Sequence, residues 1–124
     1  MAKILTEEQI QQYHKNGFVS PIRVMSEEEA YSIKAKIEEA EKKFPEDFNP
    51  EKRNNLHLTF MVLDELAHNN IIVDAVEDLI GPDISLWSSV MFIKDALTKQ
   101  YVSWHQDATY MGMNSSDFLT PWFA

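Results

Sequence analysis

The sequence contains no cysteine, which excludes disulfide bonds, thiolate metal ligands and a cysteine nucleophile. It also has no long apolar run: no stretch approaches the ~18 apolar residues that a membrane-spanning helix needs. The first residues, MAKILTEEQIQQYHKNG, lack the apolar segment of a secretory signal. We therefore expect a cytoplasmic protein without a membrane partner.

Basic residues are scarce, with 11 Lys and Arg against 20 Asp and Glu, and the formal net charge is −9. A surface of this sign repels the phosphate backbone of nucleic acids and anionic lipids, so neither is an expected partner. Hydrophobic residues make up 44% of the 124 residues, which is enough for the core of one domain over 1–124.

The first 82 residues carry helical patterns. Thr6 and Gln9 form a capping box at the start of a helix that should end at Gly17. A second capping box begins at Ser26, and the helix that follows carries an apolar stripe formed by Ala30, Ile33, Ile37, Ala40 and Phe44.

Residues 45–55 read as a polar loop, and residues 56–69 as an extended start running into a short helix. A further helix before Gly81 and Pro82 is expected to turn Val73 and Val76 inward, together with Leu79 or Ile80. Residues 1–82 are thus predicted to be mainly helical.

After residue 82 the composition shifts to β-branched and aromatic residues, which are typical of strands. The predicted strands are ISLWSSVMFIK (84–94), YVSWH (101–105) and FLTPWFA (118–124). Helices followed by strands predict an α+β fold in which 83–124 begins a β core. The last strand would leave a sheet edge unpaired, so we expect a homo-oligomer whose interface includes 84–94 or 118–124.

One pair of polar residues in the predicted β region has the residue types and spacing of metal ligands. If residues 105–107 lie in a strand, His105 and Asp107 point to the same face and present a nitrogen and a carboxylate oxygen side by side. With one more histidine they would form the 2-His-1-carboxylate site of non-heme Fe(II) oxygenases. A His-X-Asp pair alone is a weak signal, because most such pairs are ordinary surface residues. Here Trp104 precedes the pair and Thr-Tyr follows it.

In this context the sequence resembles the phytanoyl-CoA dioxygenase family of Fe(II)- and 2-oxoglutarate-dependent oxygenases. The resemblance covers essentially all 124 residues and matches the N-terminal half of that family. The segments that carry it are LTEEQIQQYHKNGFV, AVEDLIGPDISLWSSVMFIK, VSWHQDATYMGM and LTPWFA. The block WHQDATY is the most specific of them.

The resemblance implies a partial double-stranded β-helix of the jelly-roll type, with helices packed on one side. It implies that Fe(II) is held by His105 and Asp107 as the first two ligands. It places the co-substrate 2-oxoglutarate near residues that match His57, Phe92, Gln106 and Trp122. The implied activity is the hydroxylation of a small organic molecule.

The family's second histidine and its 2-oxoglutarate-binding arginine lie downstream of the matched positions, and residues 108–124 contain neither residue type. Two hypotheses follow. In the first, the chain belongs to a dioxygenase, although the 124-residue polypeptide alone should turn over little 2-oxoglutarate. In the second, it is a non-catalytic truncated module that self-associates through its open β edge.

Overall fold

The computed structural model describes residues 2–94, 96–112, 114 and 117–123. These residues form five α-helices and one 3-10 turn: α1 (Glu7–Asn16), α2 (Glu27–Lys43), the turn Leu56–Leu58, α3 (Met61–Ala67), α4 (Asn70–Ile80) and α5 (Ala108–Met111). The chain divides into two compact units between Met91 and Phe92. Helices α1 to α4 belong to the first unit, and α5 belongs to the second.

The helix ends follow the local sequence signals. The Thr6 hydroxyl accepts from the Gln9 amide at 3.2 Å, and the Gln9 side chain accepts from the Thr6 amide at 2.9 Å. Ser26 and Glu29 form the same reciprocal pair at 3.2 and 2.7 Å. Gly17 closes α1 in the left-handed conformation, with φ at 79°. Both predicted capping boxes and the glycine stop are confirmed, because each depends only on residues a few positions apart.

The predicted strands are wrong. Within the described residues the only β pairing is an isolated antiparallel bridge between Asn54 and Val90, flanked by hydrogen bonds from Asn55 N to Ser89 O (2.7 Å) and from Met91 N to Arg53 O (3.2 Å). The α+β jelly-roll expectation is therefore contradicted, and what is described is helix and coil. A segment with strand propensity forms a strand only where a neighbouring strand offers backbone hydrogen-bond partners. The residue pattern of one segment does not show whether such a neighbour is present.

Among the described residues, the buried apolar ones lie in the first unit. They are Leu5, Phe48, Leu56, Ile72 and Ala75. In α4 the buried residues are Ile72 and Ala75, while the residues predicted to face inward, Val73 and Val76, are half-buried. This helix carries apolar residues at neighbouring positions, so its periodicity did not fix which face turns inward.

An aromatic cluster holds the segment after α2 against α3. Phe48 is 4% exposed, and its ring lies 5.0 Å from that of Phe60, which lies 5.7 Å from that of Phe44. The segment 45–55 was predicted to be a polar loop, yet Phe48 belongs to the core. A single aromatic residue among polar neighbours has no periodicity that would have revealed this.

Carboxylates of α4 hold the N-terminal arm, and Asp78 accepts the backbone hydrogen bonds. Asp78 accepts hydrogen bonds from the backbone amides of Lys3 (2.7 Å), Ile4 (2.8 Å) and Leu5 (2.8 Å). The Lys3 ammonium also pairs with Asp74 at 3.0 Å and with Glu77 at 2.7 Å. These contacts hold Leu5 in the core at 4% exposure. No helix in the described part of the chain is long and apolar enough to cross a membrane.

Candidate metal centre

The predicted site residues are divided between the two units. His57 lies in the first unit, in the 3-10 turn. The second unit contains the other five: Phe92, His105, Gln106, Asp107 and Trp122.

His105 and Asp107 meet, although neither lies in a strand. The Nε2 atom of His105 is 3.2 Å from Oδ1 of Asp107, and the two side chains are 38% and 42% exposed. His105 precedes α5, and Asp107 stands at the N-cap position of that four-residue helix. The loop that enters α5 therefore brings the pair together. Their role as metal ligands remains a prediction.

The other ring nitrogen of His105 forms a hydrogen bond with the backbone. Nδ1 lies 2.8 Å from the Ser103 carbonyl oxygen, which can only accept a hydrogen bond. Nδ1 therefore donates its proton to Ser103, and Nε2 is the ring nitrogen that faces the Asp107 carboxylate, where a second proton or a metal cation can lie between the two atoms.

A second pair of the same residue types shows the contrast. His68 Nδ1 is also 3.2 Å from a carboxylate oxygen, Oδ1 of Asp64, but the same nitrogen lies 2.9 Å from the Asp64 carbonyl oxygen. In this pair a single ring nitrogen of His68 faces both Asp64 oxygens. In the second unit the nitrogen that faces the carboxylate and the nitrogen that faces the backbone carbonyl are different atoms of His105.

The distance within the His105 and Asp107 pair fits two ligands of one metal ion. Donor atoms about 2.1 Å from a metal and at right angles to each other are roughly 3 Å apart. A histidine ligand commonly donates its second ring N–H to a backbone carbonyl, which fixes the tautomer, and Ser103 provides such a carbonyl.

The Asp107 carboxylate has a further partner that the sequence did not reveal. The Thr120 hydroxyl donates to its Oδ2 at 2.7 Å. An aspartate at an N-cap position usually accepts from the first amides of its helix, but Asp107 makes no such bond within the described residues. Its two oxygens instead face His105 Nε2 and the Thr120 hydroxyl. The two residues are 13 positions apart, and no local pattern connects them.

The described part of the second unit also contains two aromatic contacts. The Phe92 and Trp122 rings, both predicted to contact the co-substrate, stack on each other with their centroids 6.4 Å apart and their planes at 29°. They are 75% and 83% exposed. The edge of Tyr110 meets His105 at 5.8 Å. Gln106 is exposed, and its backbone carbonyl accepts from the Thr109 amide at 3.1 Å.

His57 lies in a separate hydrogen-bonded cluster. It is 9% exposed, and its Nδ1 lies 2.6 Å from the Ser89 hydroxyl. The Asn55 side-chain oxygen accepts from the Ser89 amide at 3.1 Å and from the Ser88 hydroxyl at 2.9 Å. Buried polar groups require such partners, so this cluster explains how a histidine is accommodated in the core.

Among the described residues, no group of three or more His, Asp or Glu side chains is placed to hold a metal ion. In comparisons with models of known protein families, with curated proteins and with solved structures, nothing matches this chain.

Proposed function

We propose that the chain is part of an Fe(II)- and 2-oxoglutarate-dependent dioxygenase that hydroxylates a small organic molecule. The observation that carries the proposal is the His105 and Asp107 pair, in which Nε2 faces Oδ1 at 3.2 Å while Nδ1 is engaged by Ser103. The resemblance of the WHQDATY block to the phytanoyl-CoA dioxygenase family supports it from the sequence.

In this proposal His105 and Asp107 bind the metal through Nε2 and Oδ1 and hold it at one edge of the second unit. Imidazole and carboxylate are the donor set that non-heme Fe(II) sites use. When bound, Fe(II) supplies the redox chemistry that places one atom of O₂ in a substrate C–H bond and the other in succinate, with loss of CO₂ from 2-oxoglutarate.

The exposed aromatic pair Phe92 and Trp122 offers a flat apolar wall for the organic co-substrate or substrate. Gln106 adds an amide next to the metal ligands. His57 enters the proposal as a co-substrate contact only through the family resemblance. A reducing compartment helps to keep iron as Fe(II), so we place the activity in the cytoplasm.

A paramagnetic titration tests the metal site. Mn(II), added to the ¹⁵N-labelled full chain with and without 2-oxoglutarate, should broaden the amide signals of residues 103–107 and 120. His105→Ala and Asp107→Ala should abolish this selective broadening. If 2-oxoglutarate joins the metal, its addition should tighten Mn(II) binding in the wild-type chain and not in these variants.

The Asp64 and His68 pair is the matched control, because it has the same residue types at the same 3.2 Å spacing. His68→Ala should leave the broadening at 103–107 unchanged. Equal broadening at both pairs, or none at His105, would refute the proposal. In an Fe(II), ascorbate and O₂ assay, the 124-residue polypeptide should form little succinate, because residues 108–124 contain no histidine or arginine.

A second candidate function is self-association as a non-catalytic module. The open sheet edge expected to drive it is not formed in the described residues. Large apolar side chains in the two predicted interface segments are nevertheless exposed: Trp87 (59%), Val90 (48%), Phe92 (75%), Trp122 (83%) and Phe123 (46%). Ala124 lies outside the described residues. Light scattering should show a dimer or larger species at high micromolar concentration, and a monomer there would reject this candidate.

A further inference from the structure

The Asp107 carboxylate is held from two sides. Its Oδ1 faces His105 Nε2 at 3.2 Å, and its Oδ2 accepts the Thr120 hydroxyl at 2.7 Å. The second distance is typical of a charge-assisted O–H to carboxylate hydrogen bond, which is about twice as strong as a neutral one. Each oxygen therefore has its own partner.

This bond decides which carboxylate oxygen is available. The Asp107 backbone is in the αR conformation, with φ at −58° and ψ at −33°, and its carboxylate makes no capping bond to α5, so the Thr120 hydroxyl is the described partner of Oδ2. With it, Oδ2 is occupied and Oδ1 remains directed at the histidine. A carboxylate held in this way offers one oxygen to a metal ion, since the other is already bonded.

Thr120 also lies two residues before Trp122, whose ring stacks on Phe92. The same short segment thus fixes the carboxylate and carries one of the two aromatic residues assigned to the organic ligand. Loss of the hydrogen bond between Thr120 and Asp107 would change the orientation of the carboxylate without removing a metal ligand.

We infer that Thr120 is a positioning residue, which holds Asp107 so that Oδ1 and His105 Nε2 form a ready two-ligand site. The inference rests on the proposed function, because it concerns the affinity of that site for a divalent metal. Residues that bond to metal ligands typically change metal affinity 10- to 100-fold when they are replaced.

The test compares three substitutions in the full chain. Thr120→Val removes the hydroxyl and keeps the branched shape, whereas Thr120→Ser keeps the hydroxyl. Thr109→Val makes the same chemical change on the exposed surface of α5 and serves as the control. Affinities for Mn(II) and Co(II) are measured by titration. The Asp107 χ1 angle in the metal-free chain is followed by NMR three-bond couplings.

Thr120→Val should weaken Mn(II) and Co(II) binding by about 10-fold or more and should release Asp107 into several χ1 rotamers in the metal-free chain. Thr120→Ser should bind within about threefold of wild type and keep one rotamer, as should Thr109→Val. Far-ultraviolet circular dichroism should be unchanged in all three variants.

The outcomes separate the two claims. If wild type binds Mn(II) at His105 but Thr120→Val binds it equally well, the positioning role is overturned while the proposed function stands. The positioning role is also overturned if Thr109→Val weakens binding as much as Thr120→Val does. If wild type binds no metal at this pair, the proposed function fails and the positioning role falls with it.

Discussion

Replacing Asp78 with alanine should detach the N-terminal arm from α4. Three backbone amides, those of Lys3, Ile4 and Leu5, would lose their acceptor. Hydrogen bonds to a charged group contribute about 1.5–3 kcal/mol each, but amides that remain exposed regain water. The amide of Leu5 is part-buried, and its side chain is 4% exposed, so most of the loss falls there. We expect the free energy of unfolding to fall by about 2–4 kcal/mol, against a typical total of about 5–15 kcal/mol.

The effect should depend on pH in a defined direction. Burial acts to raise the pKa of Asp78, but the amides of Leu5, Ile4 and Lys3 and the Lys3 charge outweigh it, and the pKa lies below its usual value of 3.8. A carboxyl whose pKa is lower in the folded state stabilises the fold above the unfolded-state pKa. That stabilisation is lost as the pH falls through the folded-state pKa. The difference between wild type and Asp78→Asn should therefore be complete at pH 7 and shrink below about pH 4.

Urea unfolding at several pH values, with hydrogen exchange at the amides of residues 3–5, measures both effects. Asp74→Ala is the control, because Asp74 lies on the same helix and pairs only with the exposed Lys3 ammonium among the contacts described. It should change stability far less than Asp78→Ala. Equal losses in the two variants, or a wild-type advantage that persists unchanged to pH 2, would refute this account of the arm.

Substitutions at two further positions test the first unit. Asn55→Gly should lower the free energy of unfolding by about 1–2 kcal/mol in urea, because the hydrogen-bond acceptor for Ser88 and Ser89 is lost. Asn55→Ala should lower it by roughly 1 kcal/mol more, because residue 55 has φ at 59°, a conformation that strains alanine but not glycine. Equal losses in the two variants would show that this backbone strain contributes nothing. Phe48→Ala should lower stability by about 3–5 kcal/mol in thermal unfolding, with Phe48→Leu losing less, and a loss below about 1 kcal/mol would contradict its core position.

The features predicted correctly depend on residues close together in the chain. The capping boxes at Thr6 and Ser26 and the stop at Gly17 each join residues at most four positions apart. The strands failed because pairing requires a distant partner. Residues 89–91 instead form backbone hydrogen bonds with residues 53–55, and the sequence of 45–55 has no strand pattern that would have predicted this pairing.

The candidate site was predicted in the same uneven way. The His-X-Asp spacing identified His105 and Asp107, and the side chains do converge, though through the entrance to α5 and not along a strand. The partners that orient them were missed. The Ser103 carbonyl is a backbone group that every residue carries, and Thr120 is a distant hydroxyl with no motif of its own. Such contacts follow from the folded path of the chain, which residue spacing does not encode.

Anomalous X-ray diffraction from crystals of the full chain grown with Co(II) locates the bound metal without reference to activity and so tests whether His105 and Asp107 hold it. We predict one strong peak about 2.1 Å from both His105 Nε2 and Asp107 Oδ1, with the Thr120 hydroxyl still bonded to Oδ2. A peak at Asp64 and His68 instead, or no peak at the His105 and Asp107 pair at saturating Co(II), would contradict it.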